Sequence, residues 1–374
     1  MKKLLLDANP SVPFLLSGRL NGIGRTNLEL IRALDYIPAS EIPFDIELFT
    51  QNVKGVSASR LGTRFKTLHL YLRNNPGWNK WAAKLRVREF VSRYDLMHIT
   101  HNFEVVAHPE KCIVTIHDAM MFSYPEQFLN HDFARKHYPP FARKAKAVIT
   151  CSENSKREIA EYMDVNPDQI HVIPWGVDHS VLNPHPVAPS EFTNGKPYFC
   201  SVSCDIGRKN TVGVVKAYID FFHNNPEHHL VLVWKNPSQE VLEIIEKNPH
   251  AKDKIHFVTN LSNRQLADIY VGASCTFFPS RYEGFGLPVA ESMACGTPVV
   301  TCDNSSLREV GGDAAFYVDP DDVQGMAAYM EKFENGELKK SDFADANVLQ
   351  SMNFTWEKCA RKTLQVYKNC LDSL

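Results

Sequence analysis

The sequence lacks any long hydrophobic run. None of its 374 residues lies in a stretch approaching the ~20 apolar residues that a membrane-spanning helix needs. The first residues, MKKLLLD, begin like a secretory signal. Asp7, however, ends the apolar run far short of the ~7–15 residues of a signal's hydrophobic segment. Residues 3–8 are therefore predicted to form a first buried strand.

An excess of charge of either sign is also missing. The 41 Lys and Arg residues nearly balance the 43 Asp and Glu residues, for a formal net charge of −2. No overall basic field therefore favours nucleic acid, although a local patch that meets an anionic membrane stays open.

The sequence also lacks a pattern of paired cysteines. The nine cysteines are odd in number and mostly scattered through apolar segments, which predicts buried, reduced thiols instead of disulfides or a zinc site. These properties predict a cytoplasmic protein, and peripheral contact with the inner face of the membrane stays open.

What the sequence has instead is short apolar runs that alternate with helical patterns. Ser155 with Glu158, and Ser262 with Gln265, match the capping box and predict two helix starts. The alternation implies an α/β fold with parallel sheets and right-handed crossovers. The predicted strands are residues 3–8, 44–50, 96–100, 112–117, 147–151, 170–174, 198–203, 230–234, 255–259, 275–279, 298–302 and 314–318.

A proline-rich stretch separates the two series of strands. Residues 183–190, NPHPVAPS, contain three prolines within six positions, which neither a helix nor a central strand accepts. The stretch predicts a linker at 181–194 between two Rossmann-like domains, residues 1–180 and 195–352. A C-terminal helix at 355–374 is predicted to pack back on the first domain. Ligands would bind in a cleft where the carboxyl ends of both sheets face each other.

The most informative segment is residues 280–298, SRYEGFGLPVAESMACGTP. It comes after an apolar strand, and Pro288 is predicted to be the first residue of a helix. Gly284 and Gly286 allow close approach of a ligand to free N–H groups at the helix start, which favours an anion. Glu283 precedes the helix and Glu291 is predicted in its first turn, so that both face one ligand.

This segment resembles the signature of the retaining GT-B glycosyltransferases of family four, in which two glutamates enclose seven residues around GFGLP. The resemblance extends through TIHD at 115–118, ITCSENS at 149–155, VIPWGVD at 172–178, SSLREVGGDAA at 305–315 and VDPD at 318–321. It implies two doubly wound Rossmann-like domains that face each other across a cleft. It also implies an enzyme of polysaccharide biosynthesis that transfers a hexose from a UDP- or GDP-sugar to a glycan, lipid-linked or other glycoside acceptor.

The resemblance assigns roles in the second domain. Arg208 and Lys209, within SCDIGRKN at 203–210, would hold the diphosphate, while Glu283 binds the transferred sugar and Glu291 the ribose. The catalytic residues implied are Arg208, Lys209 and Glu283, with His117 from the first domain. The remaining donor contacts implied are Gly284, the backbone of Phe285, Gly286 and Leu287, and Asn260 and Leu261 near the base.

In the first domain, Gly22 and Gly24 open a helix that the family places beside the diphosphate or the acceptor. His117 would lie near the sugar and the leaving group, and Asp118 would orient His117 or contact the acceptor. Three positions depart from the family pattern: Ser203 and Trp234 replace glycines, and Cys204 stands where many members have arginine.

The family chemistry is usually described as same-face attack, in which the departing phosphate deprotonates the acceptor. Neither an enzymic nucleophile nor a metal or other cofactor is therefore expected. Asp319 and Asp321 resemble an Asp-x-Asp metal motif, but the spacing of Asp321 to Gln324 predicts a helix cap instead. Two alternatives stay open on the same scaffold, namely a catalytically silent sugar-binding or glycan-assembly protein and a sugar-nucleotide epimerase.

Overall fold

The structure is a computed structural model, and it describes residues 1–18, 21–203, 207–222, 225–234 and 236–374. The chain divides into two compact units. The first consists of Met1–Gly176 together with Trp356–Leu374, and the second of Val177–Thr355. Among the described helices, none is long and apolar enough to span a bilayer.

The first unit is built on a seven-stranded parallel sheet in the order β3-β2-β1-β4-β5-β6-β7. Its strands are β1 (Lys3–Asp7), β2 (Asp45–Gln51), β3 (Lys66–Leu70), β4 (Leu96–Ile99), β5 (Cys112–Thr115), β6 (Ala147–Thr150) and β7 (Ile170–Val172). Its helices are α1 (Val12–Ser17), α2 (Gly22–Tyr36), α3 (Pro76–Lys84), α4 (Val87–Ser92), α5 (Met120–Ser123), α6 (His131–Lys144), α7 (Glu153–Met163) and α16 (Trp356–Asp372).

The second unit contains a six-stranded parallel sheet in the order β10-β9-β8-β11-β12-β13. Its strands are β8 (Tyr198–Val202), β9 (His229–Val233), β10 (Ile255–Val258), β11 (Cys275–Phe278), β12 (Val299–Cys302) and β13 (Phe316–Val318). Its helices are α8 (Thr211–Phe221), α9 (Gln239–Glu246), α10 (Pro249–Lys252), α11 (Asn263–Gly272), α12 (Leu287–Ala294), α13 (Leu307–Gly311), α14 (Val323–Glu334) and α15 (Lys340–Ser351).

These two parallel sheets confirm the predicted α/β class with two doubly wound, Rossmann-like halves. All twelve predicted strands are present, with ends that agree or differ by at most two residues. The apolar runs mark them because a strand covered on both faces excludes polar residues, as the fully buried β4, β5, β6, β11 and β12 show.

One strand has no counterpart among the predictions. β3 reads KTLHL, alternates polar with apolar residues, and is exposed or half-buried throughout. It lies at the edge of the first sheet, where one side meets solvent, and an edge strand therefore needs no continuous apolar run.

Three helix starts differ from prediction. Helix α7 is capped by Ser152, whose hydroxyl accepts from the Ser155 N–H, so Ser155 lies inside the first turn and is not the cap. Helix α14 is capped by Asp322 instead of Asp321. The capping box of Ser262 and Gln265 at α11 is confirmed, with both reciprocal hydrogen bonds formed.

The third helix start that differs from prediction is that of α12, which begins at Leu287, one residue before the predicted Pro288. Glu291 is therefore the fifth helical residue and belongs to the second turn, because one turn takes 3.6 residues. The prediction that it lies in the first turn is wrong.

The expected state of the cysteines is also confirmed within the described part of the chain. Eight cysteines are buried there and form no disulfide. Burial raises the pKa of the Cys200 thiol to about 12, so that side chain stays protonated and behaves as a small apolar residue. Cys204, the ninth, lies outside the described residues.

Candidate active site

A compact charged cluster lies in the second unit, after the carboxyl ends of β8 and β11. Oε1 of Glu283 is 2.9 Å from Nη1 of Arg208 and 3.1 Å from Nζ of Lys209. The Ser280 hydroxyl donates to the same oxygen at 3.0 Å. The three charged side chains are only 11–16% exposed, so their charges interact in a medium less polar than bulk water.

This cluster has an excess of positive charge. Two cations face one carboxylate, which leaves one positive charge without a compensating anion among these three groups. Nζ of Lys209 also lies 5.1 Å from the centre of the Phe278 ring, at the end of β11. An incoming diphosphate would meet cations already held in place, which lowers the cost of ordering them.

The backbone around the cluster is held from two sides. Nη1 of Arg208 donates to the carbonyl of Tyr282 at 2.9 Å, and the N–H of Arg281 donates to the carbonyl of Arg208 at 2.7 Å. The loop after β12 supplies Ser305, which accepts from the N–H of Glu283 at 3.1 Å. Ser280, Ser305 and Ser306 were not predicted as part of the site, and the available signal was their position in the matching segments 280–298 and 305–315.

The start of α12 forms the other half of this site. Gly286 caps the helix with φ of +105°, and a Cβ there would come within 2.8 Å of Leu307. Only glycine accepts this conformation without strain. The Ser306 hydroxyl lies 2.8 Å from the carbonyl oxygens of both Glu283 and Phe285 and shares its one proton between them, which fixes the loop that carries the predicted donor contacts.

The other predicted donor residues occupy different environments. Gly284 and Phe285 are buried, and the Phe285 ring packs edge-on against Phe354 at 5.4 Å. Leu287 is half-buried. Glu291 is 3% exposed, and its Oε2 accepts from the Tyr270 hydroxyl at 3.3 Å.

Asn260 and Leu261 come directly after β10. Asn260 is exposed and has a left-handed backbone with φ of +58°, and Leu261 is half-buried. The Asn260 side chain donates to the Thr259 hydroxyl at 3.4 Å. No contact in the described structure joins these two residues to the Arg208–Lys209–Glu283 cluster, so their place beside a base stays a prediction.

Two of the departures from the family pattern have structural roles. The Ser203 hydroxyl accepts from Thr211 at 2.6 Å, at the start of α8. Trp234 is buried in the core of the second unit with Leu232 and Phe257 around it. Asp319 and Asp321 are engaged locally, because Asp319 accepts from the Asp321 N–H and Asp321 forms a two-pronged contact with Arg281.

The predicted residues of the first unit lie at the carboxyl edge of its sheet. Nε2 of His117 lies 3.1 Å from the carbonyl of Thr100, and its ring is 5.4 Å from that of Trp175. Burial lowers the pKa of His117 to about 4, although the Thr100 carbonyl opposes the shift. His117 is therefore neutral at pH 7, and a ring that donates from Nε2 keeps its lone pair on Nδ1.

Asp118 and Gly24 take part in local capping. Oδ1 of Asp118 accepts from the Met120 N–H at 2.9 Å, at the start of α5. The N–H of Gly24 donates to the Asn21 side chain at 2.7 Å. Gly22 is exposed, and a Cβ added to it would meet no atom within 4 Å. The geometry of Gly22 therefore does not require glycine.

A polar network at the same edge was not predicted. Asp7 ends β1, and its carboxylate lies 3.0 Å from Nδ1 of His101, just beyond β4. Burial alone would raise the pKa of Asp7 and lower that of His101. The mutual contact and opposite charges of the pair lower the pKa of Asp7 and raise that of His101, which favours an ion pair. Two hydrogen bonds that Asn9 donates to Asp7 lower the pKa of Asp7 further. The position of Asp7 directly after an apolar strand was the available signal.

Comparison with known families gives a match for each half of the chain. Residues 20–181 match Glycosyltransferase Family 4, and residues 187–348 match Glycosyl transferases group 1. The two matched segments contain His117 and the Arg208–Lys209–Glu283 cluster, respectively.

This chain belongs to the group 1 glycosyltransferases. As a member of that family it is a glycosyltransferase, with the family's GT-B fold and nucleotide-sugar donors and glycan acceptors as substrates. The predicted family, fold and enzyme class are therefore confirmed.

Two named relatives are similar in sequence to this glycosyltransferase, one over most of the chain and one over part of it. It is 26% identical to O-antigen chain mannosyltransferase B of Escherichia coli, over 93% of this chain and 96% of that protein. It is 28% identical to MMP alpha-(1->4)-mannosyltransferase of Mycolicibacterium hassiacum, over 62% of this chain and 56% of that protein.

Solved structures share the fold along the whole glycosyltransferase. Sucrose-phosphate synthase from Thermosynechococcus elongatus has a TM-score of 0.74 at 16% identity, with complete coverage of both chains. Anabaena Alr3699/HepE, solved in complex with UDP and glucose, has a TM-score of 0.72 at 17% identity, also with complete coverage. At this level of identity the likeness establishes the fold alone.

Proposed function

We propose that this glycosyltransferase transfers mannose from a nucleotide-diphosphate mannose to a growing surface glycan, with retention of anomeric configuration. The single observation that supports donor chemistry best is the convergence of Arg208 and Lys209 on Glu283, at 2.9 and 3.1 Å. Support for mannose comes from relatives named as mannosyltransferases, one of them matched over 96% of its length.

Arg208 and Lys209 would stabilise the leaving group. Rupture of the bond between the anomeric carbon and the β-phosphate oxygen leaves negative charge on the phosphate and an oxocarbenium-like sugar. Cations held in place before the reaction stabilise that charge more in the transition state than in the ground state. The excess positive charge of the cluster suits this role.

Glu283 would serve the sugar. Its Oε1 takes contacts from Arg208, Lys209 and Ser280, so its carboxylate is oriented without a ligand. We assign it to accept hydrogen bonds from hydroxyls of the transferred hexose, and Glu291 to accept them from the ribose. The backbone at residues 285–287 would donate to the sugar and the phosphate, since a helix N-terminus favours an anion.

In the first unit, His117 would meet a sugar as a neutral ring, since its pKa is about 4. A neutral imidazole hydrogen-bonds hydroxyl groups without adding charge beside an oxocarbenium-like centre. The proposal assigns no enzymic nucleophile and no metal: the departing phosphate takes the proton of the acceptor hydroxyl as the new glycosidic bond forms on the same face.

A donor panel tests the sugar and the class of reaction. We expect GDP-mannose to raise the midpoint of thermal unfolding more than UDP-glucose or UDP-galactose, because a ligand that binds the folded state stabilises it by mass action. NMR of the product should then show an α-linked mannose on a glycan acceptor. Nucleotide binding without nucleotide release would favour a silent scaffold, and a changed free sugar would favour an epimerase.

Substitution of the cluster tests the residue roles. Lys209→Ala and Glu283→Ala should each lower turnover at least ~100-fold, the scale of one lost preorganised contact to a transition state. Lys216→Ala and Glu240→Ala are matched controls in the same unit, because they remove an exposed ion pair of 3.3 Å. The assignments fail if the cluster variants, once shown to be folded, keep turnover close to that of the controls.

A further inference from the structure

Exposed apolar side chains are concentrated on one short stretch of the first unit. Of the eighteen large hydrophobic residues exposed within the described chain, six lie between positions 71 and 93. Such side chains are normal when scattered singly but indicate an interaction surface when they cluster. They are Tyr71 at 72% exposure, Trp78 at 44%, Trp81 at 48%, Leu85 at 56%, Phe90 at 83% and Val91 at 46%.

Helical spacing aligns part of this cluster. Trp78 and Trp81 lie three residues apart on α3 and contact each other edge-on, with ring centres 5.8 Å apart. Leu85 lies four residues after Trp81, which continues the same stripe. Lys80 and Lys84 are also four residues apart and exposed, so they form a basic row beside the aromatic one.

The face of α3 next to the aromatic row is already fixed to its own unit. Asn79 is 4% exposed, accepts from Nε2 of Gln51 at 2.6 Å, and donates to Oε1 of Glu104 at 2.9 Å. Ala82 is 1% exposed on the same side. The exposed aromatic row is therefore not the face of α3 that packs against its own unit, because Asn79 and Ala82 already form that face.

The charged residues of this stretch are mostly positive. Residues 71–93 contain six Lys and Arg residues and one Glu, a formal charge of +5 in a chain whose net charge is −2. Arg88 is buried and 3.7 Å from Glu104. The Glu89 carboxylate accepts from the Tyr94 hydroxyl at 2.8 Å. The exposed basic residues are Arg73, Lys80, Lys84, Arg86 and Arg93.

Two of these arginines are kept at a conformational cost. Arg86 and Arg93 flank α4 with φ of +50° and +49°, the left-handed region that glycine or asparagine enters more easily. Each arginine presents an exposed guanidinium at one end of the helix that carries Phe90.

We propose that residues 71–93 form a membrane-docking surface for an anionic lipid bilayer. Trp78, Trp81, Leu85 and Phe90 enter the interface between headgroups and acyl chains, where Trp is favoured. The five exposed cations bind the lipid phosphates, each adding to the affinity. This charge complementarity favours an anionic bilayer over an uncharged apolar partner or a second copy, whose own basic surface would be repelled.

Vesicle binding of the 374-residue chain tests the proposal. We expect it to co-sediment with phosphatidylcholine vesicles that contain phosphatidylglycerol, and to bind pure phosphatidylcholine at least roughly tenfold more weakly. Binding should fall when salt rises from about 0.1 M to about 1 M, because the screening length drops from ~10 to ~3 Å. Equal binding to both vesicle types, or none to either, overturns the proposal.

Fluorescence gives a second readout on the unaltered protein. Three of the five tryptophans, Trp175, Trp234 and Trp356, are at most 9% exposed, so a blue shift on adding vesicles reports Trp78 and Trp81. Brominated acyl chains should quench that emission if the rings enter the bilayer. Emission unchanged by anionic vesicles contradicts the proposal whatever the variants do.

Variants separate this surface from general charge effects. Lys80→Glu with Lys84→Glu should weaken vesicle binding roughly tenfold or more. The same reversal at the exposed Lys247 and Lys252 of the second unit should have little effect, and an equal loss there would overturn the proposal. Lys209→Ala should bind vesicles normally, so a failure of the proposed catalytic role is distinguishable from a failure of docking.

The aromatic row has its own matched control. Trp78→Ser with Trp81→Ser should abolish the bilayer interaction, whereas Tyr36→Ser with Leu129→Ser removes side chains that are 89% and 104% exposed elsewhere in the same unit. Thermal unfolding confirms that each variant is folded. Sedimentation of the lipid-free protein as a dimer that these aromatic substitutions dissociate would assign the surface to a second copy instead.

Discussion

Three histidines at the carboxyl edge of the first sheet differ in protonation because their neighbours differ. Burial lowers the pKa of His98 to about 3 and that of His117 to about 4. His101, beside the Asp7 carboxylate, has a pKa above its ordinary value. Residue type alone does not decide the charge of a histidine; the neighbouring carboxylate and the loss of solvent do.

The fully buried His98 predicts a pH dependence of stability. Its ring contacts the Tyr367 hydroxyl at 2.6 Å and the Thr115 hydroxyl at 2.8 Å. Below about pH 6.5 this histidine is protonated in the unfolded chain, whereas in the folded chain it stays neutral down to about pH 3. The free energy of unfolding from this group therefore falls as pH decreases across that window. The raised pKa of His101 acts in the opposite direction and above about pH 6.5, because its contribution is complete below that pH and is lost as pH rises through the folded pKa.

We expect His98→Gln to be less stable near neutral pH but to lose less stability on acidification. Urea unfolding between about pH 7.5 and pH 4.5 measures both quantities, and the difference between variant and wild type isolates His98 from Asp7, His101 and His117. His250→Gln, at an exposed position on α10, is the control. An identical pH slope for His98→Gln and wild type would contradict the assignment.

At the scale of elements, the proposed function depends on the loops at the carboxyl ends of the strands. The loops after β8, β11 and β12 bring Arg208, Glu283 and Ser305 together, and α12 begins directly behind them. In a parallel sheet, all the loops after strand carboxyl ends share one edge, so distant segments of the chain meet there. The backbone of this junction is as important as its side chains.

Gly286 tests that junction. Gly286→Ala should lower the free energy of unfolding by about 1–3 kcal/mol, because alanine is strained at φ of +105°. It should also lower turnover, since the loop that carries Glu283 must shift. Gly22→Ala is the matched control at another helix start: its Cβ meets no atom within 4 Å, so stability should be kept or rise by about 0.4–1 kcal/mol.

The stability of Gly286→Ala and the turnover of Gly22→Ala test separate claims. Wild-type stability in Gly286→Ala would contradict the strain argument. Lost turnover in a stable Gly22→Ala would show that a ligand approaches the backbone there, as the sequence predicts.

At the scale of the whole molecule, the chain leaves the first unit after Gly176 and returns to it at Trp356. Helix α16 packs against α2, and Tyr367 on α16 is fully buried against His98. The first unit is therefore discontinuous, and its core requires both ends of the chain. The side chains that α16 buries are Trp356, Cys359, Ala360, Thr363, Leu364, Val366, Tyr367, Cys370 and Leu371.

Deletion of residues 356–374 should unfold the first unit. Loss of one large buried apolar side chain costs about 2–5 kcal/mol, and a whole domain is stable by only about 5–15 kcal/mol. Limited proteolysis with mass spectrometry should show digestion of residues 1–176 and protection of 177–355. Deletion of residues 373–374, both exposed, is the control, and a protected first unit in the longer deletion would refute the prediction.

The amino-acid sequence was sufficient for the class of fold and the identity of the family. Apolar runs specify strands buried on both faces, and such strands allow only parallel, helix-covered sheets. The edge strand β3 was not predicted, because KTLHL is half solvated and has no continuous apolar run. The cap of α7 was predicted at the wrong residue, because Ser152 and Ser155 are both residue types that cap helices. Local chemistry offers several solutions at such positions, and packing chooses one.

The assembly of the site, by contrast, depends on tertiary packing. Glu283 lies 74 or more positions from both of its cationic partners, and Asp7 lies 94 positions from His101, so no spacing in the sequence indicates either contact. The pKa of each histidine and the exposure of Trp78 and Trp81 have the same origin. Distance, burial and charge between remote residues are properties of the packed chain, and they control the chemistry proposed for this glycosyltransferase.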